Sequence, residues 1–440
     1  MRFTRVAGLC LLFALLLSTP ANAQQAGDYR STIAVFNWTD LSRWERFENG
    51  SWQTPTPSQG YPGQYPGTGT VTIRDGATVT IDFNILPENQ IGGLVVGEGT
   101  GGVLQFDNAN RTLNIGSGGV TVNAGGIFRV AVPANPNNNT HTINITGGGS
   151  FTNNGTINFR QVDVNTDVAN LFLSGDLAGT GTSTFNNITF NGTNNQTISI
   201  GGTIYNVQAV TYNNTGTAPN NQITNQSTVF TNALTTRQTA AGATNISTFT
   251  AGNYRHDNTA TYLVSNASIT IPTAMTVTAL QGTMNFAHDN ASAPALTLNG
   301  NLVIDGGTVN AGVNTNTSDQ FFNALVMNAV NANITLNSGE LRVGNTTTGF
   351  GNLRMSANYQ SVTVTGGTLR TERWVIGSGN ADYQTVTING GLVQILPTVT
   401  TTDRVALQFV QGTLVMNGGQ MRIGENLTAI TGSNLEPFFI

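Results

Sequence analysis

Ile334-Thr-Leu-Asn-Ser-Gly-Glu-Leu-Arg-Val343 returns, with small changes, three more times before residue 424. The later copies are Val362-Thr-Val-Thr-Gly-Gly-Thr-Leu-Arg-Thr371, Val386-Thr-Ile-Asn-Gly-Gly-Leu-Val-Gln-Ile395 and Leu414-Val-Met-Asn-Gly-Gly-Gln-Met-Arg-Ile423. Each copy is an alternating apolar–polar run, a corner of small residues, and a second alternating run. Alternation with period two buries one side of a strand and wets the other. The corners begin at Ser338, Gly366, Gly390 and Gly418, so they recur every 24 to 28 residues. A unit this short cannot bury its own apolar side; stacked copies can, which is the logic of a solenoid. A glycine pair allows the sharp corner, because positive φ costs glycine little.

Weaker copies stand upstream at Val120-Thr-Val-Asn-Ala-Gly-Gly-Ile-Phe-Arg129, Ile143-Asn-Ile-Thr-Gly-Gly-Gly-Ser-Phe151 and Leu302-Val-Ile-Asp-Gly-Gly-Thr-Val309. The leucine–asparagine consensus of leucine-rich repeats is absent, and a propeller would need longer, four-stranded units. The expected fold is all-β: a right-handed parallel β-helix solenoid with an N-terminal cap. Composition agrees, with 52 glycines and only 9% charged residues. Asn and Thr dominate the polar positions, where stacked rungs let amides form ladders and Thr suits a pleated surface.

Residues 1–23 read as a signal peptide. Arg2 and Arg5 precede the apolar run from Leu9 to Leu17, and Ala21-Asn22-Ala23 offers a small-residue cleavage site. The run is too short for a transmembrane anchor, so no transmembrane segment is expected in the mature chain. The single cysteine, Cys10, lies in this segment, which makes the mature chain cysteine-free, without disulfides or thiolate metal sites. Residues 24–69 differ in composition and hold Trp38, Trp44 and Trp52. They are expected to cap the open end of the solenoid. Residues 70–440 form the β-helix, with irregular rungs about 203–266, where Asn, Thr, Ala and Gln clusters blur the repeat.

Trp44, Trp52, the run Pro66-Gly67-Thr-Gly69-Thr-Val71-Thr-Ile73 and Gly76-Ala-Thr-Val79-Thr-Ile-Asp82 together carry a resemblance. This head is similar to that of many secreted bacterial parallel β-helix surface proteins. Among them are adhesin-like proteins of Bacteroidetes and a family with a glycine-rich extracellular β-strand domain. It covers about the first third of the mature chain. It implies an extracellular β-solenoid, and such heads front both adhesins and polysaccharide-active enzymes. Many of these proteins close with a sorting domain or a membrane barrel, and Glu436-Pro-Phe-Phe-Ile440 carries the pattern of neither.

Candidate chemistry is sparse. Gly97-Glu-Gly-Thr-Gly-Gly102 matches a dinucleotide fingerprint, but the strand-like Val103–Phe106 follows where that motif needs a helix. No lysine exists for a phosphate loop: all 17 basic residues are arginine. His141, His256 and His288 are isolated, with no metal-ligand spacing. No catalytic residue, metal site or cofactor is expected. With a formal charge of −5 and no basic run, neither is nucleic acid.

Two sets of residues are candidates for binding. Counted from the first corner residue, Arg342, Arg370 and Arg422 occupy the same place, and Gln394 fills it in the odd rung. Arg129 joins them if its corner starts at Gly125. Their apolar predecessors, Phe128, Leu341, Leu369 and Met421, put the arginines outward. They form either a strip for an anionic glycan, with guanidinium forks on carboxylate or sulfate, or a solvated column balanced by Glu340, Glu372 and Glu425. Trp38, Trp44 and Trp52 form either a sugar-stacking platform or the packing over the first rung.

The expectation is a secreted or outer-surface structural or adhesive rod that projects a binding surface for polysaccharide or cell-surface glycan. The alternatives are a polysaccharide-degrading enzyme of the lyase or glycoside hydrolase kind, and a component that self-associates into filaments or a surface layer.

Overall fold

The computed structural model describes residues 24–130, 138–160, 167–201, 203–204, 209–226, 228–230, 247–265, 268–286, 294–312, 323–344, 351–377, 383–396, 406–424 and 438–439. The leader read at 1–23, Cys10, His288 and Glu425 lie outside them. The described chain is a parallel β-solenoid. Its helical content is two short 3₁₀ turns, Leu41–Arg43 and Pro87–Asn89. No helix among the described residues is long and apolar enough to cross a membrane.

Each rung supplies strands to three faces in turn. On one face, called the second here, an unbroken parallel ladder runs from Tyr29–Ser31 through Thr70–Ile73 and Ile91–Val96 to Thr413–Met416. The second strand of each repeat builds the third face, except in the copy Ile143–Phe151, which is set one face back: Ile143–Ile145 lies on the first face and Phe151 on the second. The third face includes Thr78–Ile81, Val103–Phe106 and Ile127–Arg129 early in the chain, and Thr368–Thr371, Leu392–Ile395 and Gln420–Ile423 late. The quoted repeats therefore span two faces. The stretches between them hold a further strand per rung, the first face. Late in the chain it comprises Leu296–Leu298, Leu325–Met327, Asn352–Met355, Arg373–Ile376 and Leu407–Phe409. These strands are only three or four residues long. They are too brief for alternation to stand out in the sequence.

The register explains why the solenoid holds. Val277, Leu302, Ile334, Val362 and Val386 are successive partners on the second face, and all are fully buried. Burying each such side chain is worth about 1.5–3 kcal/mol, and the buried residues form one continuous cluster along the rod. At the corner between the second and third faces, Gly339, Gly367, Gly391 and Gly419 take φ of 82°, 69°, 73° and 73°. Beside that corner the expected polar ladder is present. Thr365 Oγ1 donates to Asn337 Oδ1 at 3.0 Å and Asn417 Nδ2 to Asn389 Oδ1 at 2.8 Å.

Parallel pairing starts before Val71, inside the stretch read as cap: Tyr29–Ser31 pairs with Thr70–Ile73, and Val35–Asn37 with Thr78–Ile81. The other edge of Tyr29–Ser31 is taken by Trp44–Glu48, antiparallel, which pairs in turn with Ser51–Gln53. In the blurred stretch, Gln222–Asn225, Ser247–His256 and Thr261–Ser265 keep parallel partners. Residues 231–246 of that stretch lie outside the described set.

Candidate functional site

The arginine register is real in three dimensions. Arg342 pairs with Arg370, Arg370 with Gln394, and Gln394 with Arg422, on adjacent strands of the third face. Leu341, Leu369 and Val393 beside them are fully buried, so alternation turns the column outward. Arg342 and Arg370 share one carboxylate. Glu340 Oε2 lies 2.6 Å from Arg342 Nη2, and its Oε1 lies 3.1 Å from Arg370 Nε. Arg422 donates to Gln420 Oε1 from Nη2 at 3.0 Å. Arg342 Nε and Gln394 Oε1 make no hydrogen bond among the described residues. Glu340 thus bridges Arg342 and Arg370 along the strip. Strands roughly 4.8 Å apart hold these groups in a line. Such a line can present guanidinium forks to a polymer with repeated carboxylate or sulfate groups.

Two expectations about this column change. Arg129 lies on an earlier third-face strand, between Gln105 and Asn158, and its Nη2 donates to Gln105 Oε1 at 2.9 Å. Several rungs separate it from Arg342, so it is no part of the strip. Glu372 does not balance the column: it is buried, and its Oε2 accepts from the Gly351 amide at 3.0 Å. Thr371 and Glu372 are both buried because the chain turns there from the third face to the first, where strict alternation stops.

The tryptophans divide. Trp38 and Trp44 have no exposed surface and meet edge to face at 5.0 Å. Trp38 Nε1 donates to Pro62 O at 2.8 Å and Trp44 Nε1 to Trp38 O at 2.7 Å. A ring with no open face cannot stack on a sugar, so these two are core. Trp52 is different. It is half-buried on Ser51–Gln53, with the Arg30 guanidinium 4.4 Å from its ring centroid. It lines an open cleft of about 490 Å³ together with Arg30, Asp28, Thr70, Thr72 and Glu98. The charges there are engaged: Arg30 with Glu45 at 2.7 Å, Glu98 with Arg74 at 3.5 Å, and Asp28 with the Thr70 amide at 2.8 Å. The Trp52 ring thus has one face covered by the Arg30 guanidinium and lies beside the Thr70 and Thr72 hydroxyls.

The glycine fingerprint is a filled turn. Asp75 accepts from the amides of Glu98 at 2.6 Å, Thr100 at 2.9 Å and Gly101 at 3.0 Å. Those donors hold its carboxyl down at about 2. The amides that would cradle a phosphate already hold a carboxylate, and the strand Val103–Phe106 follows as expected.

Histidines 141 and 256 point into the core on different faces, and both are fully buried. His141 stacks on Phe106 at 4.2 Å. Burial pushes it down to about 4, against roughly 6.5 in an unfolded chain. As pH falls through 6.5 the unfolded state takes a proton that the folded state refuses. Stability therefore drops with falling pH and levels off near pH 4, a loss of about 3 kcal/mol. His141→Phe is expected to flatten that part of the stability–pH curve in denaturant titrations; an unchanged slope would sink the assignment. Among the described residues no group of three or more His, Cys, Asp or Glu side chains could hold a metal ion.

No protein-family model, curated protein or solved structure matches the chain.

Proposed function

We propose that this chain is a secreted or outer-surface solenoid that binds glycan without cleaving it, and that its binding strip is the third-face column Arg342–Arg370–Gln394–Arg422. The observation that carries the reading is the register itself: consecutive rungs place a guanidinium, or an amide in its stead, at one outward position. Stacking like charges in line is unfavourable unless something offsets it. Glu340 offsets part of it by bridging Arg342 and Arg370. An anionic polysaccharide lying along the rod would meet the outward guanidinium groups with carboxylate or sulfate. The head resembling adhesin-like surface proteins and the leader at 1–23 support the extracellular setting.

The test uses the mature chain, 24–440, on columns of neutral and acidic polysaccharide, scoring retention and release of new chain ends together. The wild type is expected to be held by the acidic polymer, to elute with salt, and to release no ends. Replacing Arg342, Arg370 and Arg422 by Gln should weaken retention about tenfold or more, the equivalent of about 1.4 kcal/mol. Unchanged retention in the triple variant removes the strip, and new reducing or unsaturated ends turn the reading into an enzyme.

A further inference from the structure

Two tyrosines stand where the backbone least favours them. Tyr359 and Tyr383 have φ of 56° and 72°, in the left-handed region that bulky side chains avoid. The register shows that they are equivalent. Each lies two residues ahead of a second-face position, Ser361 and Thr385, and those two are partners. In the preceding rung the matching residue is Asn331, with φ of 63°. Asparagine tolerates this conformation far better than tyrosine, so the corner itself does not ask for an aromatic ring. The two rungs nevertheless both carry one.

The rings are held outward and together. Tyr359 is 55% exposed and Tyr383 66%. Their centroids are 5.2 Å apart, and the planes differ by only 8°. Stacking contributes about 0.5–1.5 kcal/mol, which offsets part of the backbone cost. It also sets two phenols side by side at the surface, on neighbouring rungs. Tyr65, at 44%, is the other markedly exposed tyrosine among the described residues. It belongs to the opposite end of the sequence.

We propose that Tyr359 and Tyr383 form an oxidative coupling site, at which a peroxidase-class oxidant joins the two rings into a dityrosine staple between adjacent rungs. The chemistry balances. Each phenol gives one electron and one proton to the oxidant, and one hydrogen peroxide accepts both pairs and becomes two waters. The two phenoxyl radicals join through the ring carbons ortho to oxygen, forming one carbon–carbon bond. The hydrogens on those carbons then move to the oxygens and restore both phenols. The protein ends two hydrogens lighter. Proximity decides the outcome, because a radical formed on one ring meets its partner before it meets another molecule.

The experiment treats the full mature chain, at high dilution, with hydrogen peroxide and a haem peroxidase. Biphenol fluorescence is expected in the monomer fraction. Peptide mapping is expected to find the Tyr359 and Tyr383 peptides joined, with a mass short by two hydrogens. Tyr383→Phe keeps the ring and the stack but cannot form a phenoxyl radical, and it should abolish the monomer signal. The proposal is overturned if the monomer stays uncoupled, if its cross-link joins Tyr65 instead, or if Tyr383→Phe leaves the signal unchanged. None of these outcomes depends on whether the arginine strip binds glycan.

Discussion

Gly367→Val is expected to cost about 2–5 kcal/mol and to melt the rungs around it. Two effects combine. Gly367 has a φ of 69°, where a side chain costs roughly 1–2 kcal/mol. A Cβ there would also sit 2.4 Å from the Gly339 carbonyl oxygen and 3.0 Å from the Gly339 amide nitrogen. Those atoms belong to the backbone of the preceding rung and cannot swing away, so overpacking adds about 1–3 kcal/mol. A suitable control is Gly50→Ala. Its φ of 79° is just as left-handed, but no atom lies within 4 Å of the added carbon. That variant should lose only the conformational part. Hydrogen exchange locates the damage: protection should fall in Ser361–Val364 and Thr368–Thr371 and persist in Thr70–Ile73. In a stacked array each rung depends mainly on its neighbours. A Gly367→Val protein as stable as the Gly50→Ala control would show that the corner can relax after all.

Trp38→Ala is the second large effect, at about 3–5 kcal/mol. The ring is fully buried, packs against Trp44 at 5.0 Å, and donates to Pro62 O. Its removal opens a cavity, leaves that carbonyl without its donor, and loosens the Trp44 ring. The thermal midpoint should fall clearly. Retention of the surviving folded protein on polysaccharide should stay as in the wild type. A stable variant with lost retention would restore Trp38 to a binding platform.

The second and third faces were legible because their pattern is periodic at two levels. Val362-Thr363-Val364 and Val386-Thr387-Ile388 alternate within a strand, and the glycine corners mark where each rung bends. Counting from those corners was enough to place Arg342, Arg370, Gln394 and Arg422 on one line, because parallel strands with equal corners share a register. Late in the chain the first face was not legible, since strands such as Leu325–Met327 give alternation only three residues in which to appear.

The direction of individual side chains was left open wherever a corner intervened. Glu372 and Trp38 lie outside the alternating strands, and no period says which way they point. Both turned inward. Arg129 failed for another reason. Its place in the motif was right, but motif position says nothing about how many rungs separate two copies that are not consecutive. The tyrosine pair left a signal that went unused: Tyr359 and Tyr383 each stand two residues before an aligned Ser or Thr, where the rung above has Asn331. Aligning corners as well as strands would have found them.

The ladder on the second face has a mechanical corollary. Its hydrogen bonds join one rung to the next, so they run along the rod, while the covalent chain circles across it. Tension applied between the two ends is therefore borne by the bonds between rungs and not by the peptide backbone. Those bonds are loaded a rung at a time, from whichever end is gripped. Each rung that peels frees about 25 residues, or up to about 80 Å of slack. Under load the molecule behaves as a spool rather than a strut, yielding length in small instalments while the rungs still wound keep their surfaces intact.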